Sequence, residues 1–355
     1  MSTVAVVGGG INGVMSAWAI ALRGLSVDLF ERGELMRETS AASSKLLHGG
    51  IRYLEQANFC LVYEALHERQ WWIKRVPSLA RSLQIVLPTY EDNRRPEWQV
   101  WFGLWLYDLL AGNARLGPWQ RLSSVEARKL CPDLNPKGLR GAFTFYDGQM
   151  DDRALGLWAA ERAQDAGVRV HSHTPVDAVL PSGDIFVLGE KRHFDGVVNA
   201  TGPWARHLLD SSRVSARHDL DLVRGSHLVL DAPCERGFLM QSPSDGRLCF
   251  ILPFHGKTLV GTTEVRQRID EPIECSEDER NYLLELYSHY FPSRPAQLAE
   301  TFSGVRPLVS SNKDPNKATR EYVLERNQNL ITVFGGKWTT AHLLGIRVAN
   351  AVSKL

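Results

Sequence analysis

Residues 38–55, ETSAASSKLLHGGIRYLE, deliver Lys45, His48, Arg52 and Tyr53 directly after a run of small residues. Such a group suits a small anion whose hydroxyls must be oriented. A phosphate monoester carries nearly two negative charges, and guanidinium forks match its oxygens two at a time. Three further cations stand far along the chain: Arg306 in SGVRPL, Arg320 in TREYVL and Lys337 in FGGKWTT. Taken singly, an arginine is more often a surface ion-pair residue. A set converging from distant segments is what a dianionic substrate would require. His227, in GSHLVL, reads equally well as loop structure or as a site residue.

These groups need elements to position them, beginning with the first thirty residues. VAVV (4–7) is a β-branched run of the kind that forms a buried parallel strand. Gly8, Gly10 and Gly13 complete G-x-G-x-x-G, Ile11 to Arg23 recur apolar at helical spacing, and SVDLF (26–30) begins a second strand ending at Glu31. In this arrangement the first glycine permits the turn, the second admits a pyrophosphate against the backbone, and the third lets helix and strand pack closely. The anion sits on the helix's unsatisfied N–H groups. Glu31, 18 residues past Gly13, is placed to accept hydrogen bonds from a ribose diol. The chain therefore binds a dinucleotide. After the acid an NAD domain continues with another helix and strand. Here the chain enters the small-residue stretch, where Thr39, Ser40, Ser43 and Ser44 would wrap the pyrophosphate, ribityl chain and ring edge of FAD.

Later segments repeat this logic. Gly196–Asn199 reads as a buried strand, followed by Ala200, Thr201 and Gly202, where small residues admit backbone beside a cofactor. An apolar strand ends in Gly335 and Gly336, and a helix opens near Thr339, with Lys337 between. A helix N-terminus aimed at the flavin pyrimidine stabilises the reduced anion by about 0.3–1 kcal/mol, up to ~2 when partly buried.

The order VVGGGINGV, TSAASSKLLHGGIRYLE, VNATGPWA, GSHLVL, GTTE, SGVRPL, TREYVL and FGGKWTT resembles the FAD-dependent glycerol-3-phosphate dehydrogenases, within the wider group whose fold resembles D-amino-acid oxidase. The likeness runs through essentially the whole chain. It implies an α/β fold: a discontinuous Rossmann-like FAD-binding domain (1–80, 142–210 and 300–355) with an inserted mixed-sheet substrate or cap domain (81–141 and 211–299). It implies oxidation of sn-glycerol 3-phosphate to dihydroxyacetone phosphate, with the C2 hydride passing to flavin N5 and electrons leaving to a quinone or to oxygen. It adds Ile11, Asn12, Arg32, Lys45, Leu47 and His48 to the FAD contacts. Val176, Trp204, Arg306, Lys337 and Trp338 join them from later segments. Arg52, Tyr53, Arg306, Arg320, Lys337 and His227 would hold the substrate. His48 is the candidate base or its orienter, with Arg306 and Lys337 in the catalytic group; a water or an unusual role for Arg306 are the alternatives.

Two departures accompany the likeness. Family members usually carry a further C-terminal helical domain, whereas this chain stops one helix after GGKWTT. The usual GTTD is GTTE, so Glu264 is one methylene longer. Two rivals follow: a same-fold oxidoreductase for another phosphorylated or phosphoglycerol-bearing alcohol, and a flavin-binding partner or sensor without turnover. The intact cationic set argues against the second.

RRPEWQVWFGLWLYDLLAGNAR (94–115) places Trp98, Trp101, Trp105 and Leu109 on one helical face. This is either an interfacial helix near the quinone's approach or a helix packed inside the substrate domain. The resemblance favours the membrane, as a peripheral contact at its cytoplasmic face. The N-terminus has no basic region and no signal-like apolar run, so a cytoplasmic location is expected.

The bulk numbers bound the rest. With 355 residues, 44% hydrophobic and 23% charged, this is the composition of a soluble globular protein large enough for two intertwined domains. A formal net charge of +1 gives no overall attraction to nucleic acid. The five cysteines (60, 131, 234, 249, 275) have neither C-x-x-C nor zinc-site spacing, so no metal and no disulfide framework is expected.

Overall fold

The computed structural model describes residues 2–310 and 322–355. Short apolar runs from separated parts of the chain build its first sheet. β1 (Thr3–Val7) lies near the middle, between β2 (Ser26–Phe30) and the strand Gly196–Asn199, all parallel. Arg169–His171 extends the sheet beyond β2, and Leu330–Phe334 extends it beyond Gly196–Asn199. Val323–Asn327 closes that edge antiparallel. Residues 4–7 and 196–199 are nearly all fully buried, as central parallel strands covered on both faces must be.

Helix α1 (Ile11–Ala21), with the helices Asp152–Asp165 and Ala341–Val352, covers one face through Val14, Met15, Leu155, Leu344 and Val348. A three-stranded antiparallel sheet (residues 176–193) covers the other, setting Val179, Ile185 and Val187 against Ala5, Val7 and Val197. The helix expected over 11–23 thus ends two residues early, and Gly24 follows it with φ +79°.

The second sheet has ten strands. Ala80–Tyr90 pairs antiparallel with Leu139–Met150, and Leu220–Leu230 pairs antiparallel with Leu298–Val309. One parallel contact, Gly237–Gln241 against Ala80–Tyr90, makes the sheet mixed. Neighbouring residues on a strand face opposite ways. Ile85 accordingly packs under α2 (Phe59–Arg75) and α3 (Glu97–Ala111), while Val86 packs under the helix Glu277–Tyr290. The architecture is the expected one, an α/β Rossmann-like sheet assembled from distant segments with a mixed sheet inserted between them. Among the described residues no helix is long and apolar enough to cross a membrane.

Candidate active site

The glycine turn after β1 is built by close approach of backbone to backbone. Gly8 has φ +110°, and a Cβ there would stand 2.6 Å from the Ala200 carbonyl oxygen. A Cβ on Gly13 would lie 1.8 Å from the Gly8 carbonyl oxygen. No side chain fits at either position, and the bare backbone opens onto a cavity of about 610 Å³. That volume lies within the ~300–1,000 Å³ typical of small-molecule and cofactor sites.

The cavity wall brings together most of the residues singled out from the sequence. From the first βαβ unit come Gly8, Gly10, Ile11, Asn12, Glu31 and Arg32. The small-residue stretch supplies Thr39, Ser40, Ser43 and Ser44, then His48, Arg52 and Tyr53. Val176, Ala200, Thr201, Gly202 and Trp204 line it from the middle of the chain, His227 and Arg306 from the second sheet, and Gly335 to Thr339 from the C-terminal turn. Arg320 lies outside the described residues. Gly13, Lys45 and Leu47 lie behind the wall. Gly13 packs on Gly8, and Leu47 is fully buried in the core.

The local chemistry shows what holds each group. Glu31 accepts hydrogen bonds from the amides of Gly9 (2.6 Å) and Gly33 (2.9 Å), which fixes its carboxylate beside the turn. The Arg32 guanidinium lies 4.0 Å from the centre of the Trp204 ring. Ser40 Oγ accepts from the Ile11 amide at 3.0 Å, so the small-residue stretch touches the N-terminus of α1 directly. Thr39 Oγ1 donates to the Val305 carbonyl at 2.8 Å. Asp152, 1% exposed, gathers Ser43 N, Ser43 Oγ and Lys45 Nζ at 2.7–3.0 Å. This buried pair engages the Lys45 ammonium, while the Lys45 backbone is left-handed (φ +58°).

In the second sheet, Arg306 donates to Thr262 Oγ1 at 2.7 Å and to the Thr263 carbonyl at 3.2 Å. Its room comes from Gly225, where a Cβ would stand 2.0 Å from the guanidinium. Glu264 ties three guanidiniums together: Arg247 at 2.9 Å, Arg306 at 3.4 Å and Arg52 at 3.8 Å. Guanidinium forks of this kind are the groups that match a phosphate's oxygens two at a time. Lys337 Nζ sits 4.0 Å from the centre of the Tyr53 ring. His227 stacks on Phe302 and places Nε2 2.9 Å from Ser44 Oγ. Burial, followed by the positive Arg306 and Lys45, pushes its pKa well below the ordinary value, so it is neutral.

The cavity fits FAD on its own features. The glycine cradle excludes side chains where a pyrophosphate must touch backbone, and a helix N-terminus faces it. Asn12 Oδ1 and His227 Nδ1 are buried without a hydrogen-bond partner among the described residues. Such atoms are what a polar ligand would satisfy. No group of three or more His, Cys, Asp or Glu that could hold a metal occurs among the described residues.

Several wall and support residues were not singled out from the sequence, although Thr262 belongs to the GTTE motif. Asp147, Phe250 and Thr262 line the cavity, and Arg247 completes the guanidinium group. Asp147 and Asp152 lie in YDGQMDDRA, where the density of acids is the only mark, and their partners come from far along the chain.

The sequence profile of the family described as FAD dependent oxidoreductase matches residues 3–351. A glycerol-3-phosphate dehydrogenase of Pseudomonas aeruginosa is 36% identical, over 95% of this chain and 69% of its own length. A D-erythritol 1-phosphate dehydrogenase of Brucella abortus is 35% identical, over 96% of this chain and 72% of its own. Among solved structures, the glycerol-3-phosphate dehydrogenase of Bacillus halodurans complexed with FAD superposes with a TM-score of 0.79 at 24% identity. That match covers all of this chain and 64% of the other.

Proposed function

The chain belongs to the FAD-dependent oxidoreductase family, and we propose that it oxidises sn-glycerol 3-phosphate to dihydroxyacetone phosphate. The observation that carries the reading is the meeting, in one cavity, of a glycine-bared dinucleotide cradle with Arg52, Arg306, Lys337, His48 and Tyr53. The relative named glycerol-3-phosphate dehydrogenase supports the choice of substrate. The segments 1–80, 142–210 and 300–355 are taken as the FAD-binding domain and the remainder as the substrate domain, with 142–150 and 300–309 running as strands of the second sheet.

Bound FAD supplies a two-electron acceptor for the C2 hydride. The chain's own residues hold the alcohol for that transfer. Arg306 and Arg52, with Arg320, bind the phosphate, while Lys337 and Tyr53 orient the hydroxyls, which lowers the entropic cost of reaction. His48 takes the C2 hydroxyl proton. His227, neutral and buried, acts by hydrogen bonding and not by charge.

The electron acceptor proposed is a quinone reached from a membrane surface. α3 turns Trp98, Trp101, Phe102, Trp105 and Leu109 outward, each at least 44% exposed. Behind it a second cavity of about 260 Å³, lined by Phe102, Gly103 and Leu106, shares Ile51, Arg52, Leu239 and Leu248 with the first. The two cavities thus share lining residues between the outward face and the site, which supports an approach from that side.

A second reading, oxidation of a longer phosphorylated polyol, is favoured by the relative named for D-erythritol 1-phosphate. Steady-state rates with a dye acceptor separate the two. Glycerol 3-phosphate should give the higher kcat/KM, and glycerol almost none. A higher kcat/KM for D-erythritol 1-phosphate selects the second reading.

A further inference from the structure

At the edge of the cavity, where Asp147 reaches its wall, three elements meet on one backbone amide. The Gly49 N–H points at Tyr107 Oη (2.9 Å) and Asp147 Oδ1 (3.3 Å). Tyr107 donates its hydroxyl hydrogen to Asp147 Oδ2 at 2.9 Å, and Arg69 donates to Asp147 Oδ1 at 2.8 Å. Arg69 comes from α2, Tyr107 from α3 and Asp147 from Leu139–Met150; none is more than 3% exposed. Burial, then the neighbouring Asp147 charge, pushes the Tyr107 pKa far up, so the phenol keeps its proton and its donor role.

A buried ion pair is a weak device for stability, since apolar residues of similar volume often do as well. This one does something apolar residues cannot, because it presents an acceptor to a site-forming segment. That segment has little freedom elsewhere. His48 N–H donates to Thr339 Oγ1 at 3.3 Å, Gly50 sits at φ +72°, and a Cβ on Gly49 would lie 2.5 Å from both Tyr107 Oη and Leu66. On either side of the clamped amide, His48 and Tyr53 line the cavity.

We propose that Tyr107, Asp147 and Arg69 are positioning residues that hold the His48–Gly50 segment at the geometry the reaction needs. The catalytic part of this inference rests on the function proposed above; the structural part does not.

The test compares FAD-loaded wild type with Tyr107→Phe and with Tyr90→Phe. Tyr90 donates a buried phenolic hydrogen bond to the Asn135 carbonyl in another core. Hydrogen–deuterium exchange of the peptide spanning 46–54 and the kcat–KM split for glycerol 3-phosphate are read on each protein. The expected result for Tyr107→Phe is faster exchange confined to that peptide. Its kcat should fall about tenfold, short of the ~10²-fold that an ångström of misplacement can cost, with KM nearly unchanged. Tyr90→Phe should do neither. Unchanged exchange in Tyr107→Phe, unchanged kcat despite faster exchange, or the same effects in Tyr90→Phe would each overturn the proposal. If wild type fails to oxidise glycerol 3-phosphate, the substrate reading fails and the exchange comparison alone decides the clamp. Should Tyr107→Phe not fold, Asp147→Asn carries the same expectations.

Discussion

At Gly13 an added methyl would meet the Gly8 carbonyl at 1.8 Å, a backbone contact that no side-chain rotation relieves. Gly13→Ala is therefore expected to purify with almost none of the visible flavin absorbance of wild type, measured on equal protein. With His48 as the base, His48→Gln should lower kcat by about 10²–10⁴-fold. His227 carries a different expectation, because burial beside Arg306 and Lys45 keeps it neutral throughout the assay range. His227→Asn should leave the acid limb of the kcat/KM profile where wild type has it; a displaced limb would show that His227 titrates in catalysis. The glycines and Glu31 were legible from sequence because covalent spacing alone fixes their relative places. Lys45 shows the converse. The sequence offers it as a cofactor contact, but gives no sign that its ammonium is engaged by Asp152, more than a hundred residues away.

Glu279 joins the helix Glu277–Tyr290 to the second sheet. It accepts from Thr263 Oγ1 (2.6 Å), Ser226 Oγ (2.8 Å) and Arg224 (2.8 Å), and it caps its own helix through Ser276. Burial raises its pKa, but these hydrogen bonds outweigh burial and lower it from 4.5 to about 2. The stabilisation is therefore complete above the unfolded pKa and lost as pH falls from about 4.5 toward about 2. Glu279→Gln should cost about 3–5 kcal/mol at pH 7, as breaking a buried pair does. In urea unfolding followed against pH, its deficit relative to wild type should shrink as the solution is acidified; a constant deficit would contradict this. α3 carries the membrane proposal. Replacing Trp98, Trp101 and Trp105 together by Ala should abolish co-sedimentation with vesicles and slow quinone reduction while leaving dye reduction intact. Loss of dye reduction would place those tryptophans in the substrate site instead. The first strand, helix and second strand were readable to within two residues, since β-branched runs and helical periodicity are local. The order of the ten-stranded sheet was not, because partners such as Ala80–Tyr90 and Leu139–Met150 are chosen by packing and not by proximity in sequence.

At the scale of the whole molecule, the cavity is lined by residues from both large sheets and from the segment 38–55. That segment contacts the N-terminus of α1 through Ser40 and the second sheet through Ser44, Thr39 and Arg52. Cofactor and substrate would thereby be fixed relative to each other by one stretch of chain. The fold class was legible in the sequence because it follows from the order of motifs; the guanidinium cluster was not, since the GTTE motif marks Glu264 but nothing in the spacing pairs it with Arg247. The central claim is that a doubly negative alcohol is captured beside FAD and oxidised there. Anaerobic titration of the purified holoprotein with glycerol 3-phosphate, followed by flavin absorbance, tests it most directly. The account predicts full bleaching by glycerol 3-phosphate and none by glycerol. Flavin that stays oxidised under a large excess of glycerol 3-phosphate would contradict it.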